Sequence, residues 1–182
     1  MPVSGRGSLP FALVHGEPLV AAASLALEQA GVQLVDFNVP WAELRASGRP
    51  VVLHDPLCPL TPPDFIASAV EAAATGEVVA GVRAVTDTLK QVDGGPGGAT
   101  VGDTVDRDAH VIVTSPVVLP AAVVVGMSEA PDTGDFALLV ERLRSGNAVR
   151  LLPAPPLARR LAGESDLALL EALSSTQAPS AG

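Results

Sequence analysis

The sequence predicts a single α/β domain with a Rossmann-like, three-layer architecture. Short apolar runs typical of buried strands alternate with segments of helical length. The spacing from Val51–Leu53 through a helix over 62–74 to a strand over 78–85 is that of a parallel strand–helix–strand crossover. We therefore expect a doubly wound sheet, or one close to it. The 182 residues, 48% of them hydrophobic, suffice for one buried domain, which we assign to residues 1–173, with a disordered tail over 174–182.

The first eight residues are small and polar, and they predict a loose N-terminal segment with Gly5, Arg6 and Gly7 at its centre. The alternative is a remnant of a loop that cradles phosphate groups through its backbone N–H groups. Such a loop takes its geometry from a strand before it and a helix after it. No strand-forming run precedes Gly5, which favours the loose segment.

Glycine and proline divide the rest of the chain into elements. Pro18 opens an alanine-rich helix that ends near Ala30, with Gly31 as the residue that stops it. The other predicted elements are a strand over 32–39, a short helix over 40–47 carrying Trp41, a strand over 110–118 interrupted at Ser115 and Pro116, an amphipathic helix over 133–145 with Phe136, Leu139, Val140 and Leu143 on one face, a strand over 149–152 and a last helix over 165–172.

The stretch from residue 50 to residue 64 joins a strand, an acid and a helix start. Val51–Leu53 ends abruptly in His54 and Asp55, and open α/β sheets keep their chemistry in the crevice beyond the carboxyl ends of their strands. Thr61 is the predicted N-cap of the following helix, with Pro62 in its first turn. Asp55 is therefore a candidate site acid, and a plain turn residue is the alternative.

Residues 86–105 break the strand–helix rhythm. Two polar, extended segments flank the glycine-rich sequence 93–98, which predicts a β-hairpin with a flexible tip. Its residues are too polar for a core, so we expect the hairpin to project from the domain. A projecting hairpin serves either as a dimerisation arm or as a lid.

The charge balance excludes several classes of partner. Twenty acidic and 11 basic residues give a formal net charge of −9, which disfavours nucleic acids and anionic membranes. No apolar run approaches the ~20 residues needed to span a bilayer, and the N-terminus lacks a signal-peptide core. We expect a cytoplasmic protein with no nucleic-acid and no membrane partner.

Cysteine and histidine offer no metal or nucleophile motif. The lone cysteine, Cys58, excludes an intramolecular disulfide, suits a reducing compartment and has no partners at zinc-ligand spacing. We interpret it as a small, semi-buried residue. His15, His54 and His110 share no spacing that indicates a metal site or a catalytic triad.

Five segments in order resemble the 2-C-methyl-D-erythritol 4-phosphate cytidylyltransferases of the non-mevalonate isoprenoid pathway. Val-Leu-His-Asp-Pro-Leu-Cys-Pro at 52–59 resembles the family's Val-His-Asp-Ala-Ala-Arg-Pro. Asp-Thr-Leu-Lys at 87–90 and Thr-Val-Asp-Arg at 104–107 resemble the two ends of its dimerisation arm. Ser-Pro at 115–116 stands where the family has Thr-Pro-Gln, and Ala-Arg-Arg-Leu-Ala at 158–162 resembles its Asn-Ile-Lys-Val-Thr.

The resemblance implies a nucleotidyltransferase fold, similar to that of the glycosyltransferase-A enzymes, with the hairpin as an arm between subunits. It also implies roles for five residues: Asp55 as a catalytic acid that binds Mg²⁺, Arg160 in place of a catalytic lysine, and Thr88, Arg107 and Ser115 as substrate-binding residues. The residues by themselves leave other interpretations open. Ser115 suits a serine that bonds the backbone, Arg107 a solvated charge, and Arg159 with Arg160 either a phosphate site or the border of the last helix.

The first third departs from the family pattern, and we therefore expect an N-terminally shortened and degenerate member. The family holds the CTP triphosphate with Ala-Ala-Gly-x-Gly-x-Arg and a following lysine, whereas here Leu9 stands at the lysine position. Cys58 replaces the arginine of the strand-end motif. Nucleotidyl transfer depends on positioning and on cationic stabilisation, and each preorganised donor lost costs ~10²–10³ in rate.

These departures predict a catalytically impaired member that acts as a binding or partner subunit. It would form a homodimer through the hairpin arm or a heterodimer with a full-length homologue, with a sugar phosphate or CTP as candidate ligand. One alternative is an active enzyme that uses Mg²⁺ to make CDP-methylerythritol and pyrophosphate, although Asp55 alone would bind Mg²⁺ weakly. A second alternative is an unrelated α/β small-molecule binder.

Overall fold

A four-stranded sheet organises the fold. The computed structural model describes residues 6–36, 38–95 and 98–177, and its main sheet has the strand order β3-β7-β4-β8. Two further antiparallel pairs, β1 with β2 and β5 with β6, stand apart from it. The strands are β1 Leu13–Val14, β2 Glu17–Pro18, β3 Val51–Leu53, β4 Val78–Ala84, β5 Leu89–Gly95, β6 Gly98–Val105, β7 Val111–Leu119 and β8 Val149–Pro153.

Helices cover both faces of this sheet. Within the described ranges, no helix has the length and apolar character needed to cross a membrane. The helices are α1 Leu19–Gln29, α2 Trp41–Ala46, α3 Pro63–Ala72, α4 Ala121–Gly126, α5 Phe136–Arg144 and α6 Ser165–Gln177, and short 3₁₀ turns occur at Leu9–Phe11, Ala73–Thr75, Arg107–Ala109 and Pro156–Ala158.

Side chains of the central strands alternate between the two faces, as the period of a β-strand requires. On one face, Val78 and Val117 pack with the four predicted apolar residues of α5 and with Val124 of α4. On the other face, Val79 and Val118 pack against α3, which in turn contacts α1. The three-layer α/β fold is therefore confirmed, and so is the amphipathic face of α5.

The strand connections differ from the predicted doubly wound sheet. β3 and β4 both pair antiparallel with β7, so they run in the same direction but are not neighbours. The crossover through α3 therefore skips one strand position, which β7 fills later in the chain. The parallel neighbours within the sheet are β4 and β8. β7 continues through Ser115 and Pro116, but its register with β4 shifts there, between the pairs Val82–Val113 and Ala80–Val117, so the expected interruption is present in the strand pairing.

Three local predictions are wrong. Residues 32–36 form no strand, since no neighbouring strand pairs with them, and Phe37 lies outside the described residues. Thr61 is not an N-cap, because its hydroxyl donates to the carbonyl oxygen of Cys58 at 2.9 Å. The predicted tail begins as helix, because α6 continues to Gln177; residues 178–182 lie outside the described ranges.

The predicted β-hairpin is present. β5 and β6 pair antiparallel with each other and with no other described strand, and their strands extend further into the glycine-rich sequence than expected. The two residues at its tip, Pro96 and Gly97, lie outside the described residues. The cross-strand neighbours Val92 and Val101 are 63% and 75% exposed. The hairpin therefore carries an apolar pair on its surface.

A third apolar cluster joins the two ends of the chain to the strand-end loop. Val14 and Leu19 come from the N-terminal region, Leu57 follows β3, and Leu161 and Leu170 come from the C-terminal region. The backbone N–H of Leu161 donates to the carbonyl oxygen of Leu57 at 2.8 Å. This leucine cluster brings together segments that are distant in sequence, and the candidate site lies among them.

Candidate functional site

Asp55 lies at the carboxyl end of β3, and its carboxylate is the centre of a buried ion cluster. The Nε of Arg6 donates to Oδ1 and the Nε of Arg160 donates to Oδ2, each at 2.8 Å. The backbone N–H of Leu57 also donates to Oδ1, at 3.0 Å. The Asp55 side chain is only 2% exposed. Each carboxylate oxygen is therefore engaged by a guanidinium group. Asp55 is also a turn residue, because its carboxylate accepts from the Leu57 N–H and its carbonyl oxygen accepts from the Cys58 N–H at 2.9 Å.

The hydrogen bonds to Asp55 control its protonation. Burial by itself would raise the pKa of the carboxyl group, because desolvation penalises the charged form. Donation from Arg6, from the Leu57 N–H and from Arg160 outweighs this penalty and lowers the pKa of Asp55 below its usual value. The carboxylate is therefore ionised at neutral pH and forms true ion pairs with both arginines.

Arg6 is the member of the ion cluster that the sequence did not predict. The segment over residues 1–8 was predicted to be loose, but the Arg6 side chain is 3% exposed and its Nη2 also donates to the Thr133 carbonyl oxygen at 2.8 Å. Residues 1–5 lie outside the described ranges. The signal available in the sequence was a lone arginine between two glycines, which pointed to no partner 49 residues away.

Arg160 approaches Asp55 from the other side. Its side chain is 39% exposed, so it forms the accessible part of the cluster. It also lines a cavity of about 180 Å³ together with Val113 of β7 and the first residues of α5. Asp135 caps that helix by accepting from the backbone N–H groups of Ala137 and Leu138. The helix start therefore already holds a carboxylate of this chain.

A second layer of polar groups supports Asp55 from behind. The Asp55 N–H donates to the Ser115 hydroxyl at 2.9 Å, and that hydroxyl is 2.6 Å from Nδ1 of His54. Ser115 is fully buried. Its hydroxyl accepts a backbone hydrogen bond, as expected for a serine that bonds the backbone. Nε2 of His54 is buried and has no hydrogen-bond partner among the residues that the structure describes. Burial lowers the pKa of His54 to about 4, although the nearby Asp55 carboxylate raises it.

Cys58 is part of the packing around the cluster. The residue is fully buried, and its Sγ lies 3.4 Å from the Thr114 hydroxyl oxygen, which donates to the Ala158 carbonyl. Burial raises the pKa of the Cys58 thiol to about 11, so the group is a neutral thiol near pH 7. The thiol carries no positive charge into the site.

Thr88 and Arg107 lie together at the base of the hairpin. They line an open depression of about 270 Å³ with residues of β5 and β6. Nη1 of Arg107 donates to the Thr86 carbonyl oxygen at 2.8 Å, and the side chain is 53% exposed. Among the described residues, no hydrogen bond or ion pair links this depression to Asp55. The structure thus brings Asp55, Ser115 and Arg160 together and leaves Thr88 and Arg107 as a separate pair.

The described residues around Asp55 do not fit a divalent metal ion. Both carboxylate oxygens already accept hydrogen bonds from arginine, and the carboxylate is closed to solvent. Mg²⁺ needs near-octahedral oxygen ligands and retains several of its waters. Within the part of the chain that the structure describes, no group of three or more His, Cys, Asp or Glu side chains is placed to hold a metal ion.

Comparison with known proteins gives a consistent family and fold. The family model for 2-C-methyl-D-erythritol 4-phosphate cytidylyltransferase matches residues 41–175. The crystal structure of such a cytidylyltransferase from Thermus thermophilus superposes with a TM-score of 0.64 at 23% identity, over 93% of this chain and 95% of the other. That of 4-diphosphocytidyl-2C-methyl-D-erythritol synthase from Anaerococcus prevotii gives 0.66 at 14% identity, over 93% and 92%.

We predict that His54 makes the protein less stable in mild acid. Its pKa falls from 6.5 to about 4 on folding, so between these values the unfolded state binds more protons, and stability rises with pH up to about 6.5. A shift of this size corresponds to roughly 3 kcal/mol across that range. Urea unfolding from pH 4 to 7 should show a much shallower pH dependence for His54→Gln than for the wild type.

The matched control is His110→Gln, because His110 is exposed at the surface. The control should retain the pH dependence of the wild type. Parallel pH profiles for the wild type and His54→Gln would contradict the prediction. The lowered pKa of Asp55 adds a loss of stability only at still lower pH, below its unfolded value of 3.8, so the two effects fall in different windows.

Proposed function

Because this chain belongs to the 2-C-methyl-D-erythritol 4-phosphate cytidylyltransferase family, we propose that it is a catalytically impaired member that acts as a binding or partner subunit. Family membership also removes the unrelated small-molecule binder from consideration. A cytoplasmic location is part of the proposal, and the reduced state of Cys58 suits it.

The observation that carries the proposal is the ion pairing of Asp55. To bind a divalent ion, this acid needs an open coordination position on one of its oxygens, and here Oδ1 is held by the buried Arg6 and Oδ2 by the partly exposed Arg160. Breaking a buried ion pair costs about 3–5 kcal/mol when one charge is left without a partner. That cost opposes metal binding at Asp55 and so opposes a metal-dependent nucleotidyl transfer.

The loss of cationic groups at two other positions supports the same proposal. Leu9, at the position that the resemblance assigns to a loop lysine, packs against the leucine cluster. Cys58, at the position of a substrate-contacting arginine, is a buried neutral thiol. Catalysis of nucleotidyl transfer depends on positive groups placed around the phosphates, so a site with neither charge would retain little rate enhancement.

The β-hairpin supports the partner role. Val92 and Val101 are cross-strand neighbours and strongly exposed, which is unusual for a pair of valines on an isolated two-stranded sheet. A second subunit that covers them would remove this apolar surface from water. The candidate ligands, a sugar phosphate or CTP, would bind at the exposed part of Arg160 or near Thr88 and Arg107.

The alternative is an active cytidylyltransferase that makes CDP-methylerythritol and pyrophosphate with Mg²⁺. One observation favours it: two arginines converge on the family's catalytic acid, and Arg160 is partly exposed beside a cavity. A bound triphosphate would compete with Asp55 for these arginines and free the carboxylate. Activity measurements distinguish this alternative from the main proposal.

We predict that the purified protein releases no pyrophosphate from CTP and methylerythritol phosphate in the presence of Mg²⁺ above the level of a protein-free control. The physical reason is that Asp55 is not available to the metal. Pyrophosphate release is followed with a coupled enzymatic assay, and thermal-shift measurements on the same samples report binding of CTP and of methylerythritol phosphate. Turnover that Asp55→Asn abolishes and that exposed Asp103→Asn leaves intact would establish the active alternative.

We predict that the protein is a homodimer held in part by the hairpin. Light scattering after gel filtration at micromolar concentration should give a dimer for the wild type and a monomer for Val92→Asp/Val101→Asp, because two carboxylates would be buried at the interface. Val125→Asp on α4 is the matched control, since Val125 is also exposed, at 51%, and this variant should remain a dimer. A monomeric wild type would argue against the homodimer.

A further inference from the structure

We propose that Arg6 is a tethered cation that keeps Asp55 closed to divalent metal ions. The inference deepens the proposed function, and it rests on that proposal in taking Asp55 as metal-free in the working protein. It adds the reason that Asp55 binds no metal ion: the guanidinium group of Arg6 lies where such an ion would contact the carboxylate. The contact is therefore autoinhibitory toward metal-dependent chemistry at this acid.

The geometry separates Arg6 from Arg160. Arg6 is 3% exposed and is held at two points, by the Asp55 carboxylate and by the Thr133 carbonyl oxygen. Arg160 is 39% exposed and binds the other carboxylate oxygen. A side chain at the surface can move aside when a ligand arrives, whereas a buried guanidinium group held by two acceptors cannot do so without opening the structure around it. Arg6 is therefore the fixed barrier, at Oδ1, and Arg160 is the movable one, at Oδ2.

The space around Asp55 leads to the same conclusion. A divalent ion brings waters with it, and an ion that a single carboxylate binds keeps most of them. Asp55 is 2% exposed, and the guanidinium of Arg6 fills the position directly beside Oδ1. An ion would need to displace that guanidinium to contact this oxygen.

Charge adds to this steric exclusion. One carboxylate and two guanidinium groups give the cluster a net charge of +1, so a divalent ion that entered it would be repelled. Arg6→Gln removes one positive charge and lowers the net charge to zero. It also leaves a polar side chain whose amide oxygen can ligate the ion. The variant should therefore acquire the metal site that the wild type lacks.

The test is Mn²⁺ binding, measured by electron paramagnetic resonance on the full-length protein, with the variants Arg6→Gln, Asp55→Asn and the double variant. Wild-type protein should show no Mn²⁺ binding that depends on Asp55. Arg6→Gln should bind one Mn²⁺ at least about tenfold more tightly than the wild type, and the double variant should lose that site. Arg142→Gln is the matched control, because Arg142 pairs with Asp132 at the surface and its side chain is 64% exposed.

Any of the following results from the binding measurements would overturn the inference: Asp55-dependent Mn²⁺ binding by the wild type, no gain in a folded Arg6→Gln variant, or an equal gain in Arg142→Gln. If Arg6→Gln does not fold, Arg6→Met fills the space with an apolar side chain of similar reach, and the same comparison applies. In either case, Mn²⁺ must not broaden the amide resonances of Leu57 and Leu161 in the wild type. Broadening there overturns the inference without any variant.

The outcomes for the two proposals are separable. Pyrophosphate release by the wild type would refute catalytic impairment. Asp55-dependent Mn²⁺ binding by a wild type that remains inactive would refute the role of Arg6. The missing cationic groups would then explain the catalytic impairment.

Discussion

A buried carboxylate determines how the two ends of this chain meet. Asp55 is almost fully removed from water, and a buried charge is tolerated only when it is paired and hydrogen-bonded. Arg6 and Arg160 supply the pairing, and the Leu57 N–H supplies a further hydrogen bond. Segments from the N-terminal region, the end of β3 and the C-terminal region therefore converge on a single side chain.

Apolar packing makes this convergence possible. The leucine cluster and the hydrogen bond between the backbones of Leu161 and Leu57 hold Arg160 opposite Asp55. The Ser115 hydroxyl and His54 then fix the backbone behind the carboxylate. Burial keeps the His54 ring neutral near pH 7, because it lowers the pKa of His54 to about 4. The same groups that hold the acid in place keep it from solvent.

Sequence reasoning succeeded where the signal is local. The position of Asp55 after β3 followed from an apolar run ending in an acid, α5 from the 3.6-residue period of its apolar side chains, and the hairpin from its glycine-rich tip. It failed where partners are distant. The insertion of β7 between β3 and β4 depends on a strand that comes later in the chain. Arg6 could not be assigned to Asp55, because no local pattern encodes a side-chain contact across 49 residues.

The account depends on whether Asp55 and Arg6 interact as a buried ion pair. A double-mutant cycle on Asp55→Asn and Arg6→Gln, followed by urea unfolding at pH 7, measures their coupling free energy directly. A buried, charge-assisted pair predicts a coupling free energy of about 2–3 kcal/mol. The losses of unfolding free energy in the two single variants should then add up to more than the loss in the double variant. A coupling near zero would contradict the account, because Arg6 would then not hold the Asp55 carboxylate.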